Sequence, residues 1–490
     1  MDTFISLKDN LRGGITQITT RYATAEDSQI YYLDANNLYG GTMHRMMPYD
    51  IVYDTTEEWK LINRHGPTAW VNSLGTYDEY GYFIECDVHC KDYDKFNDLP
   101  FFPIQRVGEY SPYMLQYAKD LGIEDMLNEK DKTQKLICDL CPKTHYVVHY
   151  SMLQLALQQG YKLTKIHKIV KFKQAPFIFE YVNQLSEMRA KASSSVLKNL
   201  FKLLANSIYG KFVETGLNRM KVKFASTKKE QDAIMQKYNG LIDGMELIDD
   251  LWVGKIFNPV KRMTKPFFIG FAILDMSKYI IYDFYYNKLK KTFANVTLLG
   301  QDTDSLIVKI TDNDITTKML DDYKSYDFSE LDTSSYFYNK LVEYYNTKVN
   351  KVEFPTLNSF VNFNKKVAGP IFKDEHKGHR ITEFCGLRPK LYCILDEKNV
   401  IHNAAKGVPR TVTDSVGNIM KIKNMETYKR VLFGKTKDDA VLMGNYHRIA
   451  NRELKIETTE QTKVLFTCLD NKRYVCDDGI HTLAFREGMM

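Results

Sequence analysis

The sequence predicts a mixed α/β fold, because runs typical of strands and runs typical of helices alternate along its 490 residues. Two short apolar runs, residues 296–299 and 306–308, flank a polar segment as the strands of a hairpin do. Residues 196–210 instead repeat apolar side chains every three or four positions, which indicates a helix. Hairpin strands are antiparallel, so we expect an antiparallel sheet beside helices. A chain of this length can bury a sizeable core in three or more subdomains.

The turn of the predicted hairpin contains two carboxylates, Asp302 and Asp304, separated by Thr303 and followed by Ser305. A tight turn directs both carboxylates into one small volume, where their charges repel and one of them takes up a proton. Divalent cations remove that repulsion, and Mg²⁺ prefers carboxylate oxygens shared with substrate phosphates. Asp and Ser are also common in ordinary polar turns, so this segment alone leaves both interpretations open.

A second candidate segment, residues 29–40, is a strand-like run that reaches Asp34. A carboxylate at the end of a buried strand can complete a metal site with the carboxylates of the turn. Tyr39 follows five residues later, close enough to stack beneath a sugar. The alternative is an ordinary strand followed by an Asx turn, with Tyr39 in the core.

The helix predicted over residues 196–210 has two distinct faces. One face has the spacing of a core-facing stripe and contains Leu197, Leu200, Phe201, Leu204 and Ile208. The other face carries Lys191, Lys198, Lys202, Asn206 and Tyr209. Lysine binds phosphate, a tyrosine ring can stack on a base, and the glycine at position 210 permits close backbone approach. A solvated lysine face is the alternative interpretation.

In chain order, these segments resemble the polymerase motifs of family B DNA polymerases. Asp34 with Leu-Tyr-Gly at 38–40 resembles the first motif, residues 202–210 resemble the second, and the Asp302 turn resembles the third. Residues 390–392, Lys-Leu-Tyr, are similar to the Lys-x-Tyr motif that holds the primer strand. Arg-Gly-Gly at 12–14 resembles the linker motif of the protein-primed subgroup, and residues 362–394 are most similar to viral and Maverick/Polinton-type polymerases.

The resemblance implies a right-hand polymerase with an antiparallel-sheet palm, helical fingers, a thumb and the insertions typical of protein-primed enzymes. It implies DNA-directed DNA synthesis by two-metal nucleotidyl transfer, in the replication of a viral or mobile-element genome. Two Mg²⁺ ions, which Mn²⁺ can replace, would be held by Asp34, Asp302 and Asp304.

The resemblance also implies which residues contact the substrates. Those expected to bind the nucleotide are Tyr39 as a gate against the 2′-hydroxyl, Arg189, Lys191 and Lys202 on the triphosphate, Asn206 as support, and Tyr209 under the nascent base pair. Those expected to contact DNA are Arg12, Gly13, Gly14, Ser207, Gly210, Thr303, Ser305, Lys390 and Tyr392. The implied partners are primer-template DNA, deoxynucleotides and a terminal priming protein.

Three positions depart from the family pattern, which usually has Tyr where this chain has Gly300, Pro where it has Gly40, and Tyr where it has Leu11. None of them removes an expected metal ligand. Proofreading members also carry an exonuclease domain before the linker motif, whereas only ten residues precede Leu11 here. We therefore expect either a fragment of a longer polymerase or a separately encoded exonuclease as a partner.

The predicted organisation is a palm that is discontinuous in sequence. Its expected parts are 1–60, linker and first metal strand; 61–135, an insertion that grips the priming protein and duplex; 136–176, palm; 177–213, fingers; 214–256, a variable segment with turn signals at Asn239-Gly240 and Asp243-Gly244; 257–410, palm with the metal hairpin; and 411–490, thumb.

Charge and cysteine content constrain the function less. The net charge of +6 is mild for a nucleic-acid-binding protein. Positive charge is concentrated in residues 162–173, where basic and apolar residues alternate as in a strand that follows a phosphate backbone or, equally, as in a solvated edge strand. Eight cysteines and no recognisable signal peptide favour a reducing intracellular compartment.

Two further segments test other classes of protein. Cys138, Cys141, His145 and His149 contain the C-x₂-C and H-x₃-H pairs of a zinc site, but the gap between the pairs is much shorter than in a zinc finger, so zinc is the less favoured of two open interpretations. The apolar run 267–274 is too short to span a bilayer.

Three functions therefore remain open from the sequence. An active DNA polymerase is favoured by the four ordered motifs. A reverse transcriptase usually pairs two adjacent aspartates in its metal turn, and Asp302 and Asp304 are not adjacent. A non-catalytic DNA-binding relic or fragment of such a polymerase is the third.

Overall fold

The computed structural model describes residues 7–127, 133–214, 220–237, 241–257, 265–365, 367–409, 411–413, 419–452 and 455–489. The strands, in chain order, are β1 Thr16–Ile18, β2 Tyr22–Thr24, β3 Gln29–Ala35, β4 Met47–Val52, β5 Tyr80–His89, β6 Ile104–Val107, β7 Gln134–Ile137, β8 Lys143–His149, β9 Lys162–Ala175, β10 Met220–Ala225, β11 Leu241–Ile248, β12 Leu251–Phe257, β13 Asn295–Asp302, β14 Ser305–Thr311, β15 Tyr326–Asp327, β16 Phe372–Asp374, β17 Ile381–Arg388, β18 Leu391–Asp396, β19 Ile401–Ala405, β20 Thr411–Thr413, β21 Ile419–Lys421, β22 Val441–Arg452, β23 Lys455–Thr467, β24 Tyr474–Val475 and β25 Thr482–Leu483.

The helices are distributed between these strands. In chain order they are α1 Leu38–Met43, α2 Thr56–His65, α3 Pro67–Ser73, α4 Tyr93–Phe96, α5 Pro112–Asp120, α6 Tyr150–Gln159, α7 Phe179–Lys191, α8 Ser195–Phe212, α9 Lys228–Lys237, α10 Phe267–Asp283, α11 Lys290–Thr292, α12 Ile315–Asp321, α13 Tyr336–Thr347, α14 Leu357–Val361, α15 Met425–Leu432 and α16 Lys437–Ala440. A π-helical turn, Phe284–Leu289, continues α10, and 3₁₀ turns occupy Glu124–Met126 and Tyr323–Ser325.

The largest sheet has ten strands, with the main order β1-β13-β14-β3-β17-β18-β19. Every pair along this path is antiparallel, and β16 also pairs with β3. The predicted mixed fold with an antiparallel sheet is therefore confirmed, as are the strand ending near Asp34 and the two strands of the hairpin.

A second sheet of four strands has the order β4-β9-β5-β8. The basic segment 162–173 lies in β9, which pairs with β4 on one side and β5 on the other. Strand β4 pairs only with residues 171–175, so among the described strands residues 162–170 have β5 as their one partner, and both interpretations of the basic segment stay open. One of its lysines, Lys171, is 2.8 Å from the carboxylate of Glu58 and lies over the ring of Tyr80, so part of the basic face serves packing within the sheet.

Helix α10 contains the apolar run 267–274 and is buried on all sides, as expected for a helix that is apolar around its whole circumference. It packs against α1, α6 and α8 and against β4 and β8 of the four-stranded sheet. None of the helices in the described part of the chain combines the length and the apolar character that crossing a membrane requires.

The apolar stripe predicted on helix α8 is not a core-facing stripe, and this expectation was wrong. Leu197, Leu200 and Leu204 are 42%, 45% and 38% exposed. The end of α8 near Ile208 packs on a buried cluster. The rest of α8 packs mainly against α7, and these leucines stay partly in solvent. We refer to the two packed helices α7 and α8 as the finger hairpin.

The segment 214–256 contains part of a three-stranded sheet, β10-β12-β11. The turn expected at Asp243-Gly244 was wrong, because both residues lie within β11 and pair with β12. A bulge between Leu241 and Asp243 accounts for the irregular pattern there. The second turn signal, Asn239-Gly240, lies outside the described residues.

Candidate active site

The central feature of the large sheet is a row of five residues that face one another across neighbouring strands. Thr16 pairs with Asp302, Asp302 with Ser305, Ser305 with Asp34, and Asp34 with Lys373. Directly paired Cα atoms in antiparallel strands lie about 4.5–5.5 Å apart. The pairing therefore brings Asp34 and Asp302, which are far apart in sequence, within two strands of each other. We call these five residues the carboxylate row.

The turn that carries Asp304 is fixed by backbone hydrogen bonds on both sides. The amide of Asp304 donates to the carbonyl of Asp302 (2.7 Å), and that of Thr303 donates to the carbonyl of Ile15 (2.8 Å). The carbonyl of Asp304 accepts from the amide of Ala35 (2.8 Å), which ties the turn to the end of β3. Thr303 has a φ of 61°, a left-handed conformation that suits the tight turn.

Gly14 lies directly beside this turn. A side chain at position 14 would overlap the side chain of Thr303, so the glycine of the Arg-Gly-Gly segment is needed for close packing. Gly13, its neighbour, is exposed. The Arg-Gly-Gly segment is thus in contact with the turn of residues 302–305, which is expected to bind metal and is called the metal turn below. The sequence resemblance alone did not reveal this contact.

Asp34, a member of the row, and Asp304, on the turn beside it, lie in crowded surroundings that raise their pKa values. Burial, followed by the charges of Asp304 and Glu375, raises the pKa of Asp34 to about 7. Burial and the charge of Asp302 raise the pKa of Asp304. Uncompensated carboxylates in a half-buried site hold protons more tightly for these two reasons.

Two lysines compensate part of this negative charge. The Nζ of Lys390 lies 2.9 Å from Oδ1 of Asp302, and the Nζ of Lys373 lies 3.7 Å from Oδ2 of Asp34. Lys390 occupies the turn between β17 and β18 with a φ of 61°, which directs it back across the sheet. The structure therefore places Lys390 beside the turn of Asp302 and Asp304, and its contact with the primer strand stays a prediction.

Lys373 and Glu375 belong to the site, but the sequence analysis gave them no role. Lys373 is 2.6 Å from Glu375, and the side chain of Glu375 also interacts with that of Asp34. Both residues follow from the pairing of the short strand β16 with β3. A three-residue strand has no clear periodicity, so this pairing could not have been read from the sequence.

The donor set suits a hard divalent cation, although it is not arranged as a finished metal site. Among the described residues, no group of three or more His, Cys, Asp or Glu side chains is placed to hold a metal ion. Asp34, Asp302 and Asp304 nevertheless carry only oxygen donors, and burial, followed by neighbouring carboxylates, raises the pKa values of Asp34 and Asp304. The residues therefore fit Mg²⁺, provided that their side chains converge when it binds.

The expected sugar-binding tyrosine lies next to the finger hairpin. The rings of Tyr39 and Tyr209 have centroids 5.1 Å apart at an angle of 44°. Burial and the charge of Asp304 raise the pKa of Tyr39, so this ring lies between the finger hairpin and the metal turn. Asn37 caps the first turn of α1 by accepting a hydrogen bond from the amide of Gly40 (3.3 Å).

The remaining nucleotide-binding candidates lie on the surface of the finger hairpin. Lys191, Lys202, Asn206 and Arg189 are exposed, and Lys191 is 3.6 Å from Glu187. A side chain at Gly210 would meet no described atom within 4 Å. The half-buried Ser207 donates to the carbonyl of Leu204 (2.9 Å). The structure thus brings Tyr209 to the site, while the cations of this helix remain in solvent.

Ser305, one of the expected DNA-contacting residues, is 2% exposed. Arg12 and Tyr392 are also buried, and their contacts lie within the fold. Arg12 is 9% exposed, donates to the carbonyl of Val147 (3.1 Å) and lies 3.7 Å from the ring centre of Tyr146. Tyr392 is 3% exposed, and its hydroxyl is 2.9 Å from that of Tyr32. In this arrangement both support the sheet from within, and a direct DNA contact by either remains a prediction.

The cysteine and histidine pairs at 138–149 are dispersed. Cys138 and His149 are buried, whereas His145 is exposed, lies 2.7 Å from Glu85 and stacks on the ring of His167. Within the described part of the chain, these residues are not grouped so as to hold a metal ion.

The departure at Gly300 has a steric explanation. Gly300 pairs with Ile18, and a Cβ atom there would lie 3.1 Å from Cδ1 of Ile18. The same isoleucine fills the space above Gly386 on β17. In this chain Ile18 therefore occupies the volume that a larger residue at position 300 would need.

Comparison with known families identifies the chain. A family profile described as "DNA polymerase type B, organellar and viral" matches residues 1–284, more than half of the sequence. The chain belongs to this family. The prediction of a family B polymerase made from the four motifs is therefore confirmed. No curated protein matches the chain.

Solved structures of Phi29 DNA polymerase are also similar to this chain, at 13% sequence identity. The complex with primer-template DNA and incoming nucleotides gives a TM-score of 0.49, over 95% of this chain and 63% of that polymerase. The orthorhombic crystal form gives 0.48, over 95% and 63%, and the post-translocation binary complex with primer-template DNA gives 0.47, over 95% and 62%. This chain thus spans less than two thirds of the length of the polymerases that it resembles.

Proposed function

We propose that this chain is a DNA-directed DNA polymerase that adds deoxynucleotides to the 3′-hydroxyl of a primer under the direction of a template, in replication of a viral or mobile-element genome. The carboxylate row is the observation that carries the proposal. Its pairing places Asp34 beside the turn that holds Asp302 and Asp304. Membership of the type B family supports the same activity.

Asp34, Asp302 and Asp304 would hold two divalent cations, Mg²⁺ or Mn²⁺, and Glu375 is a fourth carboxylate within reach of Asp34. When bound, the two ions would activate the primer hydroxyl and stabilise the charge of the leaving pyrophosphate. Lys390 and Lys373 now contact these carboxylates, so their ammonium groups are in position to turn towards substrate phosphates instead.

The nucleotide would bind between the carboxylate row and the finger hairpin. Tyr39 and Tyr209 are already in contact there, which supports a sugar above Tyr39 and a base pair above Tyr209. Lys202, with Arg189 or Lys191, would neutralise the triphosphate, and Asn206 would support the same site. Catalysis of this kind depends on positioning and charge stabilisation more than on covalent chemistry.

The wider assignments are part of the same proposal. The large sheet with the carboxylate row corresponds to the palm, the finger hairpin to the fingers, and the part from 411 onwards to the thumb. A terminal priming protein and a separately encoded exonuclease are proposed as partners by the resemblance to protein-primed polymerases.

Primer extension with Mg²⁺ tests the proposal most directly. We expect the wild-type chain to extend a DNA primer with deoxynucleotides, and Asp302→Asn to lose at least about a thousandfold in rate, because a metal carboxylate acts in the transition state. Asp27→Asn is the matched control, since it removes an exposed carboxylate just before β3, the strand that carries Asp34 near its other end. Its rate should stay close to that of wild type.

The outcomes separate the three functions. Extension that is lost in Asp302→Asn supports a DNA polymerase. A preference for an RNA template would indicate a reverse transcriptase. DNA binding without any extension, under conditions where the chain is folded, would indicate the non-catalytic relic.

A further inference from the structure

A lysine from the far end of the chain lies at the open edge of the carboxylate row. The Nζ of Lys472 donates to the carbonyl oxygen of Thr16 (3.2 Å) and lies 3.1 Å from its hydroxyl oxygen. Thr16 is the row residue that pairs with Asp302, and Asp302 is in turn 2.9 Å from Lys390. Lys472 is thus the next cation after Lys390 on the side of the row away from Asp34.

A third lysine extends this arrangement. The Nζ of Lys135 donates to Oδ1 of Asn471, the residue that precedes Lys472 (2.9 Å). Burial lowers the pKa of Lys472, the nearby charge of Asp470 raises it, and the charges of Lys135 and Lys390 lower it. Three lysines from three distant parts of the sequence therefore lie near one another, and their combined charge attracts a phosphate.

The backbone next to Lys472 is held firmly. Its neighbour Arg473 is 1% exposed and donates through Nε to the hydroxyl of Thr482 (2.7 Å). The same guanidinium donates to Oε1 of Gln17 (3.2 Å) and to the carbonyl of Asn97 (2.8 Å). Because these anchors join strand β1 to two other parts of the chain, the position of Lys472 is set before any ligand binds.

We propose that Lys472 and Lys135 hold successive backbone phosphates of the growing strand, continuing the contact made by Lys390 at its 3′ end. The inference rests on the proposed function, which places the end of that strand at Asp302. Lys390 contacts Asp302 itself, and Lys472 contacts Thr16, which pairs with Asp302, so both are placed to meet the phosphates nearest this end. Lysine binds phosphate as a point charge and reads no sequence, which suits a strand of any sequence.

A merely structural role for Lys472, fixing Thr16 at the edge of the sheet, makes a different prediction. It would lower the melting temperature on substitution without changing how many ions DNA binding releases. A phosphate contact instead contributes to the salt dependence of binding, because each neutralised phosphate releases counterions. The two roles can therefore be separated by a binding measurement that needs no turnover.

The test is the affinity for a primer-template duplex, measured by fluorescence anisotropy over a series of KCl concentrations without nucleotides. For Lys472→Met we expect a Kd about fivefold higher and a plot of log K against log[KCl] less steep by about 0.9. Lys472→Arg should keep the wild-type slope. Lys340→Met is the charge-matched control, because it removes a lysine that pairs with Glu343 (3.1 Å) on helix α13, and its slope should be unchanged.

Replacing the last few primer phosphates, one at a time, by a neutral methylphosphonate identifies the phosphate that Lys472 contacts. In wild type it should weaken binding at the phosphate that Lys472 contacts, and Lys472→Met should lose nothing further there. An unchanged slope in Lys472→Met, or an equal methylphosphonate effect in wild type and variant, overturns this inference even if wild type extends primers. Absence of extension by wild type would instead refute the proposed function, and the two failures are thus distinguishable.

Discussion

The carboxylate row and the finger hairpin are both proposed to bind the incoming nucleotide, yet they are built in opposite ways. The row is set by strand pairing between distant segments and lies over a buried core. The finger hairpin has no buried residue on α8 and leaves three of its leucines about 40% exposed. The two regions meet chiefly where Tyr39 faces Tyr209.

This difference has a physical consequence. A site that crowds carboxylates needs a rigid frame, because repulsion would otherwise push the strands or the turn apart. A surface helix with few buried contacts can reorient at a small cost in free energy. We therefore expect metal binding to depend on the sheet, and nucleotide capture to depend on the exposed side chains of α8.

Of the substitutions that test this difference between the two regions, Lys202→Met is expected to change activity most. Lys202 lies seven residues before Tyr209 on the same helix, about 10 Å along its axis. Removing its charge should lower kcat/KM for deoxynucleotides about a hundredfold, because the triphosphate loses a charge-assisted contact. The melting temperature should not change, since the side chain is exposed. Steady-state single-nucleotide insertion measures the first quantity and thermal unfolding the second.

Lys198→Met is the control for that prediction. Lys198 lies one turn further from Tyr209 on the same face and is also exposed. Its substitution should cost much less. An equal loss in the two variants would mean that α8 acts through its overall charge rather than through a placed lysine.

The contact between the two regions can be broken at Tyr39. In Tyr39→Val the ring that lies against Tyr209 is removed, which opens space for a 2′-hydroxyl. Discrimination against ribonucleotides should then fall about 10- to 100-fold, the usual effect of relieving one steric conflict in a pocket. Tyr39→Phe keeps the ring and should retain discrimination. Parallel insertion assays with dNTP and NTP provide the ratio, and an unchanged ratio in Tyr39→Val would refute the gate.

Substitutions of two glycines compare how tightly the chain is packed in helix α1, which follows β3, and in the finger hairpin. A Cβ at Gly41 would overlap the backbone of Gly369, which cannot move cheaply, so Gly41→Ala should destabilise the protein by about 1–3 kcal/mol. A Cβ at Gly210 meets no described atom within 4 Å, and Gly210→Ala should stabilise helix α8 by about 0.5–1 kcal/mol. Urea unfolding midpoints measure both changes. A similar destabilisation by both alanines would show that α8 is packed more tightly than its exposure indicates.

The sequence predicted the elements of the site better than their surroundings. The hairpin of Asp302 and Asp304 and the strand of Asp34 were correct, because local apolar runs and a polar turn define them. Glu375 was missed, because its place depends on a long-range pairing of a very short strand. Lys472 was missed for a similar reason, since nothing local in the chain relates it to Thr16.

The same limitation explains the errors in the fold. Leu197 and Leu200 have the spacing of a core-facing stripe, but periodicity cannot tell whether a partner covers the stripe. The basic segment in β9 has the alternation of an edge strand, and β4 pairs only with its last three residues, whereas β5 pairs along most of its length. Local pattern thus gave the type of element, and tertiary pairing decided its exposure.

The smallest effect expected is a coupling of pH, metal and stability through Asp34. Its pKa is about 7 in the fold against an ordinary 3.8, so the folded chain holds this proton more tightly than the unfolded chain does. The resulting stabilisation is fully present below pH 3.8 and is lost as the pH rises through about 7. Without divalent ions, wild type should therefore lose stability across this window, and Asp34→Asn should lose about 2–4 °C less in melting temperature.

Magnesium should reverse this loss, because it binds the deprotonated carboxylates and only in the folded chain. Above pH 7, added Mg²⁺ should raise the melting temperature of wild type and of the control Asp27→Asn, but raise that of Asp34→Asn much less. The measurement is differential scanning fluorimetry across a pH series, with EDTA or with Mg²⁺. Identical pH profiles for wild type and Asp34→Asn would mean that the pKa of Asp34 is not raised in the folded chain. Of the two carboxylates of this site whose pKa is raised, Asp304 alone would then account for the crowding of charge there.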